Sequence, residues 1–451
     1  MIRLFTHVNV FISKKKGLKI LFCLISIGFV QCAFAQEKWT AFKGAQIHTM
    51  AGKTIENGVL LIRNGKIEEV GQSDLKLPEG TEVFDVSGKQ IMPGLVDTHS
   101  HLGGPEGGDG SNPIQPDARA LDAINPESDG FKKALAGGIT TINVMPGSGL
   151  LMSGQTVYLK MRPAKKIEDM LIVNEKGVYG GLKMANGTNS MRNGNGFPGT
   201  RAKSASLVRE LFLKAQEYKK KLEKAKTDSS KMPERDLRME PLVEVLNGIR
   251  TVHFHSHKAS DIQTVIRLSK EFGFKPVLHH LSEGWKVSEE IAAAGLYSSI
   301  IIIDVPGGKM EAVNLTLKTG GVLEKAGVAV GFHTDDGITD SRLFLRSAAM
   351  AVREGMSPKK AMEGLTITGA KMLDLSSKVG SLEKGKDADF IILSGNPFSV
   401  YTNVEQTWVE GMKRFDLTKP EDRAFLQGGY GVYSSERGEF HHHKNDDDTE
   451  Q

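Results

Sequence analysis

The sequence predicts an α/β protein centred on a (β/α)8 TIM barrel, with a composite β-sandwich formed by its N- and C-terminal segments. Three observations carry that prediction. A middle stretch, residues 94–376, alternates apolar strand-like runs with amphipathic helical ones, the pattern of strands joined by helical crossovers in a parallel sheet. At about 280 residues it suits a (β/α)8 barrel, typically ~250. Short β-type runs with turn signals stand at both ends, in 36–93 and 377–430, where they can pair into one small sandwich.

Residues 1–35 are unlike the rest. Lys14, Lys15, Lys16 and Lys19 precede the apolar run Ile20 to Val30, and Ala33-Phe34-Ala35 follows as a small-residue cleavage pattern. This reads as a secretory signal peptide, since the apolar run is well short of the ~20 residues that span a membrane. The expected protein is therefore exported, periplasmic or extracellular, with no stable membrane insertion after cleavage. Lipid attachment at Cys32 is the alternative, in the poor context Phe29-Val30-Gln31.

Removing the segment takes away Arg3 and the four lysines, leaving 53 basic residues against 54 acidic ones in place of a net charge of +4. The balance speaks against nucleic acid as a partner, because no basic stripe with interleaved aromatics remains. Both cysteines, Cys23 and Cys32, also lie in the segment, so a metal in the mature chain must be held by His, Asp, Glu or Lys.

The N-terminal β segment offers Ala45–Met50, Gly58–Ile62 and Lys66–Val70 as strands, with Asn64-Gly65 as a hairpin turn. The C-terminal one offers Asp389–Leu393 and Gln406–Glu410. In the middle, Ile139–Val144, Thr251–His255, Pro276–His280 and Val328–His333 read as strands and Ala259 to Phe272 as a helix. Residues 214–240 are charged and helix-favouring, a solvated helix broken near Thr227 to Ser230. The tail 431–451, with His441-His442-His443 and Asp446-Asp447-Asp448, has the composition of a disordered segment.

Histidine placement points to chemistry. His99, His101, His253, His255, His257, His279, His280 and His333 all stand in or just after strand candidates. In a barrel the C-terminal strand ends converge on one pocket, whereas filler histidines have no reason to choose strand ends. In His99-Ser100-His101 alternate residues share a side, so both imidazoles can reach one ion. His255 and His280 end two later strands, and Asp335 follows His333-Thr334 at the end of a late strand. Imidazoles plus one carboxylate suit zinc or another divalent ion. Asp336 reads as a turn cap.

The run Met92-Pro93-Gly94-Leu95-Val96-Asp97-Thr98-His99-Ser100-His101 resembles the signature of the amidohydrolase superfamily, in its imidazolonepropionase-like and prolidase-like branch. Val379-Gly380-Ser381-Leu382-Glu383-Lys384-Gly385-Lys386-Asp387-Ala388-Asp389 is similar to the segment with which those enzymes return to their sandwich. The likeness spans nearly the whole mature chain. It implies His99, His101, His255, His280 and Asp335 as metal ligands for one or two Zn2+ ions. It also implies Lys183, in Gly181-Leu182-Lys183-Met184-Ala185-Asn186-Gly187, as a carboxylated bridge; an ordinary surface lysine is the other reading. The implied reaction is cleavage of a C–N (amide) bond in a small peptide or cyclic amide by metal-activated hydroxide. Asp335 would move the proton, and His257 or His280 would support the oxyanion. His333 is a candidate for orienting the substrate.

Many deaminases and true imidazolonepropionases of this resemblance carry a Glu three residues after the fifth-strand His. Here Lys258 stands there, which disfavours both. A metal-dependent deaminase and a non-catalytic binding protein that kept the fold are the alternatives. Arg162, Arg192 and Arg201 are candidates to meet a substrate carboxylate, and the loops Gly103 to Pro126 and Met145 to Gln155 to set specificity. A small-molecule or short-peptide substrate is the expected partner; self-association into a homo-oligomer is left open.

Overall fold

In the computed structural model, strands from the two ends of the chain meet in one sheet. The residues described are 38–105, 107–191, 197–305 and 308–429. The leader 1–35 with Cys23 and Cys32, Arg192 and the tail 431–451 lie outside them.

Trp39–Ile47 pairs antiparallel with Ile55–Arg63, which turns through Asn64-Gly65 into Lys66–Gly71. Asn64 and Gly65 have φ of 50° and 77°, as a tight hairpin requires. The first strand starts and ends earlier than Ala45–Met50, because Met50 sits at φ 57° and leaves the extended region. Gln90–Pro93 runs parallel to that strand on one side and antiparallel to Phe390–Leu393 on the other. Val404–Val409 and Met412–Asp416, with Glu82–Asp85 parallel to the first strand, complete the eight-stranded sheet. Phe42, Phe390 and Trp408 pack on one another with ring centroids 4.8 to 5.5 Å apart, joining the two ends through aromatic contacts.

The middle of the chain has the mixed α/β content of a TIM-barrel-type fold. Leu95–Ser100 pairs in parallel with Ile139–Val144. Leu182–Ala185, Val252–Ser256, Pro276–His280, Tyr297–Ile300 and Val330–Phe332 follow as successive parallel neighbours. Helices connect several of them. In Ala259–Phe272, Ile262, Val265, Ile266 and Phe272 are buried at helical spacing, and Gly273 ends the helix at φ 77°.

One run departs from the all-parallel expectation. Met152–Gln155 pairs antiparallel with Leu182–Ala185, and Val157–Lys160 pairs antiparallel with Ile139–Val144. The cause is the connection. From Met145 to Leu151 the chain passes through Pro146-Gly147-Ser148-Gly149, far shorter than the dozen or more residues of a parallel crossover. The chain therefore turns back, and the last part of the predicted loop Met145 to Gln155 is strand. Between Val330–Phe332 and Leu95–Ser100 no ladder forms among the described residues, but Asp335 N donates to His99 O at 2.9 Å.

The charged stretch forms the second half of a long helix, Arg201–Ala225, capped by Thr200, whose side chain accepts from Lys203 N. Val208, Leu211, Phe212 and Ala215 are its buried stripe. No described helix is long and apolar enough to cross a membrane.

Candidate metal centre

The first and last middle strands bring three predicted residues together. His99 Nε2 and His101 Nε2 are 3.2 Å apart. Asp335 Oδ1 lies 3.2 Å from His99 Nε2 and 2.8 Å from His101 Nε2. His101 Nδ1 donates to the Met145 carbonyl at 2.8 Å, which leaves its Nε2 lone pair facing Asp335. Asp97 braces the pair of strand ends: its carboxylate accepts from His99 N at 3.2 Å, Thr334 N at 3.1 Å and Thr334 Oγ1 at 2.6 Å. Asp335 itself is held at φ 50°, a conformation that costs energy and is found where the surroundings over-determine it.

Lys183, on Leu182–Ala185, is 0% exposed, so it is not a surface lysine. Its Nζ donates to His99 Nε2 at 3.1 Å, and burial pushes its ammonium down to about 7. His255 and His280 meet with ring centroids 4.1 Å apart. Both ring nitrogens of His255, and Nε2 of His280, are buried with no hydrogen-bond partner among the described residues. His280 Nδ1 is 3.9 Å from Asp335 Oδ2, which links this pair to the first cluster.

Strand alternation turns His279 and His280 to opposite sides, and His279 is the one in register with His255. His280 nonetheless packs against His255, because its backbone leaves the strand conformation at φ 72°. His257 is held on both nitrogens: Nδ1 is 2.7 Å from Ser282 Oγ, and Nε2 accepts from Lys309 Nζ at 2.7 Å. His257 is thus already partnered, unlike His255.

Behind these residues lies a supporting set. His333 Nδ1 is 2.8 Å from Ser299 Oγ, which is 2.7 Å from Thr98 Oγ1. His279 Nε2 is 3.0 Å from His253 Nδ1, and His253 Nε2 is 3.2 Å from Tyr158 Oη. Three groups have potential ligand atoms within 4.8 Å of one another: His99, His101 and Asp335; His255, His257 and His280; His99, His279 and His333. Burial holds His99, His255, His257, His279 and His280 well below the usual imidazole range and His253 and His333 at about 3. Neutral imidazoles are what a metal requires. The donor set and its unmatched nitrogens therefore fit a divalent ion.

Other candidates go elsewhere. Arg162 makes a two-pronged pair with Glu410, at 2.6 and 2.7 Å. Arg201 pairs with Asp261 at 2.9 Å and with Glu311. Both have their carboxylates within the protein. Asp336 accepts from Ser341 N at 2.9 Å and pairs with Lys133 at 2.8 Å, consistent with a turn-fixing role. Lys309, absent from the sequence-based candidates, is a half-buried lysine at the site, its ammonium lowered by burial to about 8. Its position on the loop after Tyr297–Ile300, at the strand ends where barrel chemistry collects, was the available signal.

The sequence profile of the amidohydrolase family matches residues 252–419. A solved amidohydrolase from Thermotoga maritima MSB8 is 32% identical, with a TM-score of 0.77, and the match covers 84% of this chain and 100% of that one. The amidohydrolase tasK of Hapsidospora irregularis is 26% identical over 406 residues; the match covers 81% of this chain but spans only 41% of that protein's length. An imidazolonepropionase of Pseudomonas savastanoi pv. phaseolicola (strain 1448A / Race 6) is 25% identical over 431 residues, covering 86% of this chain and 96% of that one. This chain belongs to the amidohydrolase family, in agreement with the motifs around His99 and Asp389. The family is one of metal-dependent hydrolases acting on carbon–nitrogen bonds.

Proposed function

We propose that the chain hydrolyses a C–N (amide) bond in a small peptide or cyclic amide, using zinc or a similar divalent ion. The observation that carries this reading is the convergence of His99, His101 and Asp335 beside His255, whose two buried ring nitrogens have no partner among the described residues. His99, His101 and Asp335 would hold one ion; His255 and His280, with Lys183 carboxylated, would hold a second. Bound there, such an ion lowers the pKa of water from 15.7 toward ~7 and polarises the amide carbonyl. Asp335 Oδ2, on the His280 side of the carboxylate, is placed to take a proton and return it to the leaving nitrogen. Of the two imidazoles expected to support a developing oxyanion, His257 has both nitrogens engaged, by Ser282 and Lys309, and would have to release one of them first; His280 lies beside it.

Lys258 supports amide hydrolysis over deamination. It occupies the N-cap of the helix Ala259–Phe272, three residues after His255, where a deaminase would carry its proton-moving Glu. In the same reading the strands from Leu95 to Phe332 make a (β/α)8 barrel with a reversed third strand, in domain 94–376. Segments 36–93 and 377–430 make the composite sandwich. The basic and apolar leader supports export, which N-terminal sequencing of the recovered protein tests.

The deciding experiment is elemental mass spectrometry of the purified protein beside His99→Ala/His101→Ala, with hydrolysis of a dipeptide panel measured on both. Bound zinc and amide turnover in the parent, lost together in the variant, are expected. A parent that takes up no divalent metal when supplied with it overturns the proposal.

A further inference from the structure

Lys309 brings a positive charge to the imidazoles and forms no ion pair among the described residues. Its Nζ donates to His257 Nε2 at 2.7 Å. An ammonium has three donors, and a single neutral imidazole satisfies one of them. Lys309 feels the charges of Asp335 and Glu311 but touches neither, and a half-buried cation with no anion in contact is costly unless something from outside completes it.

The surrounding segment holds the lysine in place. Glu311, two residues on, is buried and paired with Arg201, which is itself fixed by Asp261 at 2.9 Å. Asn314 donates to Glu283 Oε1 at 2.6 Å, and its carbonyl accepts from Trp285 Nε1 at 3.1 Å. Glu283 in turn accepts from Ala259 N at 2.9 Å, at the start of the helix that follows His257. Acidic residues are thus close by, yet Glu283 is turned to other partners, and Glu311 gives one oxygen to Arg201 and its other to no described residue, Lys309 included.

We propose that Lys309 binds a carboxylate of the substrate, so that the amides cleaved are dipeptides or N-acyl amino acids rather than uncharged amides. This inference rests on the hydrolase reading above for the reaction and adds the charge of the substrate. A charge-assisted hydrogen bond from a fixed ammonium discriminates the acid from its carboxamide by roughly 10- to 100-fold.

The test uses matched pairs, N-acetyl-L-leucine and dipeptides against their C-terminal carboxamides, with zinc-loaded parent, Lys309→Met and Lys309→Arg. Turnover and calorimetric binding are measured for each pair. The parent is expected to prefer the acid. In Lys309→Met that preference falls roughly 10- to 100-fold through KM, and Lys309→Arg restores part of it. A parent that hydrolyses acid and carboxamide equally overturns this inference while the hydrolase reading stands. An equal loss for both substrates through kcat also overturns it and moves Lys309 to the reacting centre. Acid-selective binding that Lys309→Met abolishes, with no hydrolysis in the parent, supports this inference and sinks the hydrolase reading.

Discussion

Two buried clusters of polar side chains differ in how completely they are satisfied. Lys160, 0% exposed, pairs with Asp387 at 2.7 Å and Asp389 at 2.5 Å. The other oxygen of Asp387 takes Lys66 at 2.5 Å, and the other oxygen of Asp389 accepts from Glu410 N at 2.8 Å. Every carboxylate oxygen there has a donor from the protein. At the histidine cluster, His255 has none on either nitrogen among the described residues, and His99 Nδ1, His279 Nδ1 and His280 Nε2 are equally bare. A closed set of partners ties the middle strands to the C-terminal sheet; an open one marks where a ligand belongs. Burial alone does not separate these two clusters, whereas their unmatched atoms do.

The sharpest way to break this comparison is Lys160→Met. It leaves Asp387 and Asp389 buried beside each other without their shared cation, and removing one partner of a buried ion pair costs about 3–5 kcal/mol. Urea denaturation of the metal-free protein should show a loss of that size. A loss below about 1 kcal/mol would mean that water already reaches the carboxylates and the cluster is not closed.

The complementary change is His255→Leu, where the opposite sign is expected. A buried polar group without a partner costs roughly 1–3 kcal/mol, so its removal should leave the metal-free protein as stable as the parent or more so. Metal affinity measured by competitive chelation should fall in the same variant. Strong destabilisation of the metal-free form would show His255 to be a partnered core residue and would close the gap between the two clusters.

These two clusters also divide what the sequence could tell from what it could not. Ile139–Val144, Pro276–His280 and the helix Ala259–Phe272 are visible in local pattern, because a strand or helix face repeats within a few residues. The histidines proposed as ligands are visible for a related reason, as strand ends are local features and barrels gather them. Lys160 is 227 residues from Asp387, and no periodicity connects them. The reversed run 152–160 depends on the length of one connection, and the inward turn of His280 on a single φ. Such facts belong to tertiary geometry. Lys309 was missed because an isolated lysine in a loop has the same appearance whether it faces solvent or a site.

The smallest effect is expected at the margin of the closed cluster. Arg162 grips Glu410 with two hydrogen bonds, but the pair is roughly a third exposed on both sides, at 29% and 31%. Half-screened pairs of this kind contribute ~0.2–1 kcal/mol, and the backbone N–H of Glu410 that serves Asp389 does not depend on the Arg162 side chain. Arg162→Ala should therefore lower stability by no more than about 1 kcal/mol and leave KM for an amide substrate unchanged. A rise in KM would return Arg162 to the substrate. A loss approaching that of Lys160→Met would show that the guanidinium also shields Asp387 and Asp389, whose charges it feels. The boundary between the closed cluster and the surface would then lie one residue further out, at the Arg162–Glu410 pair itself.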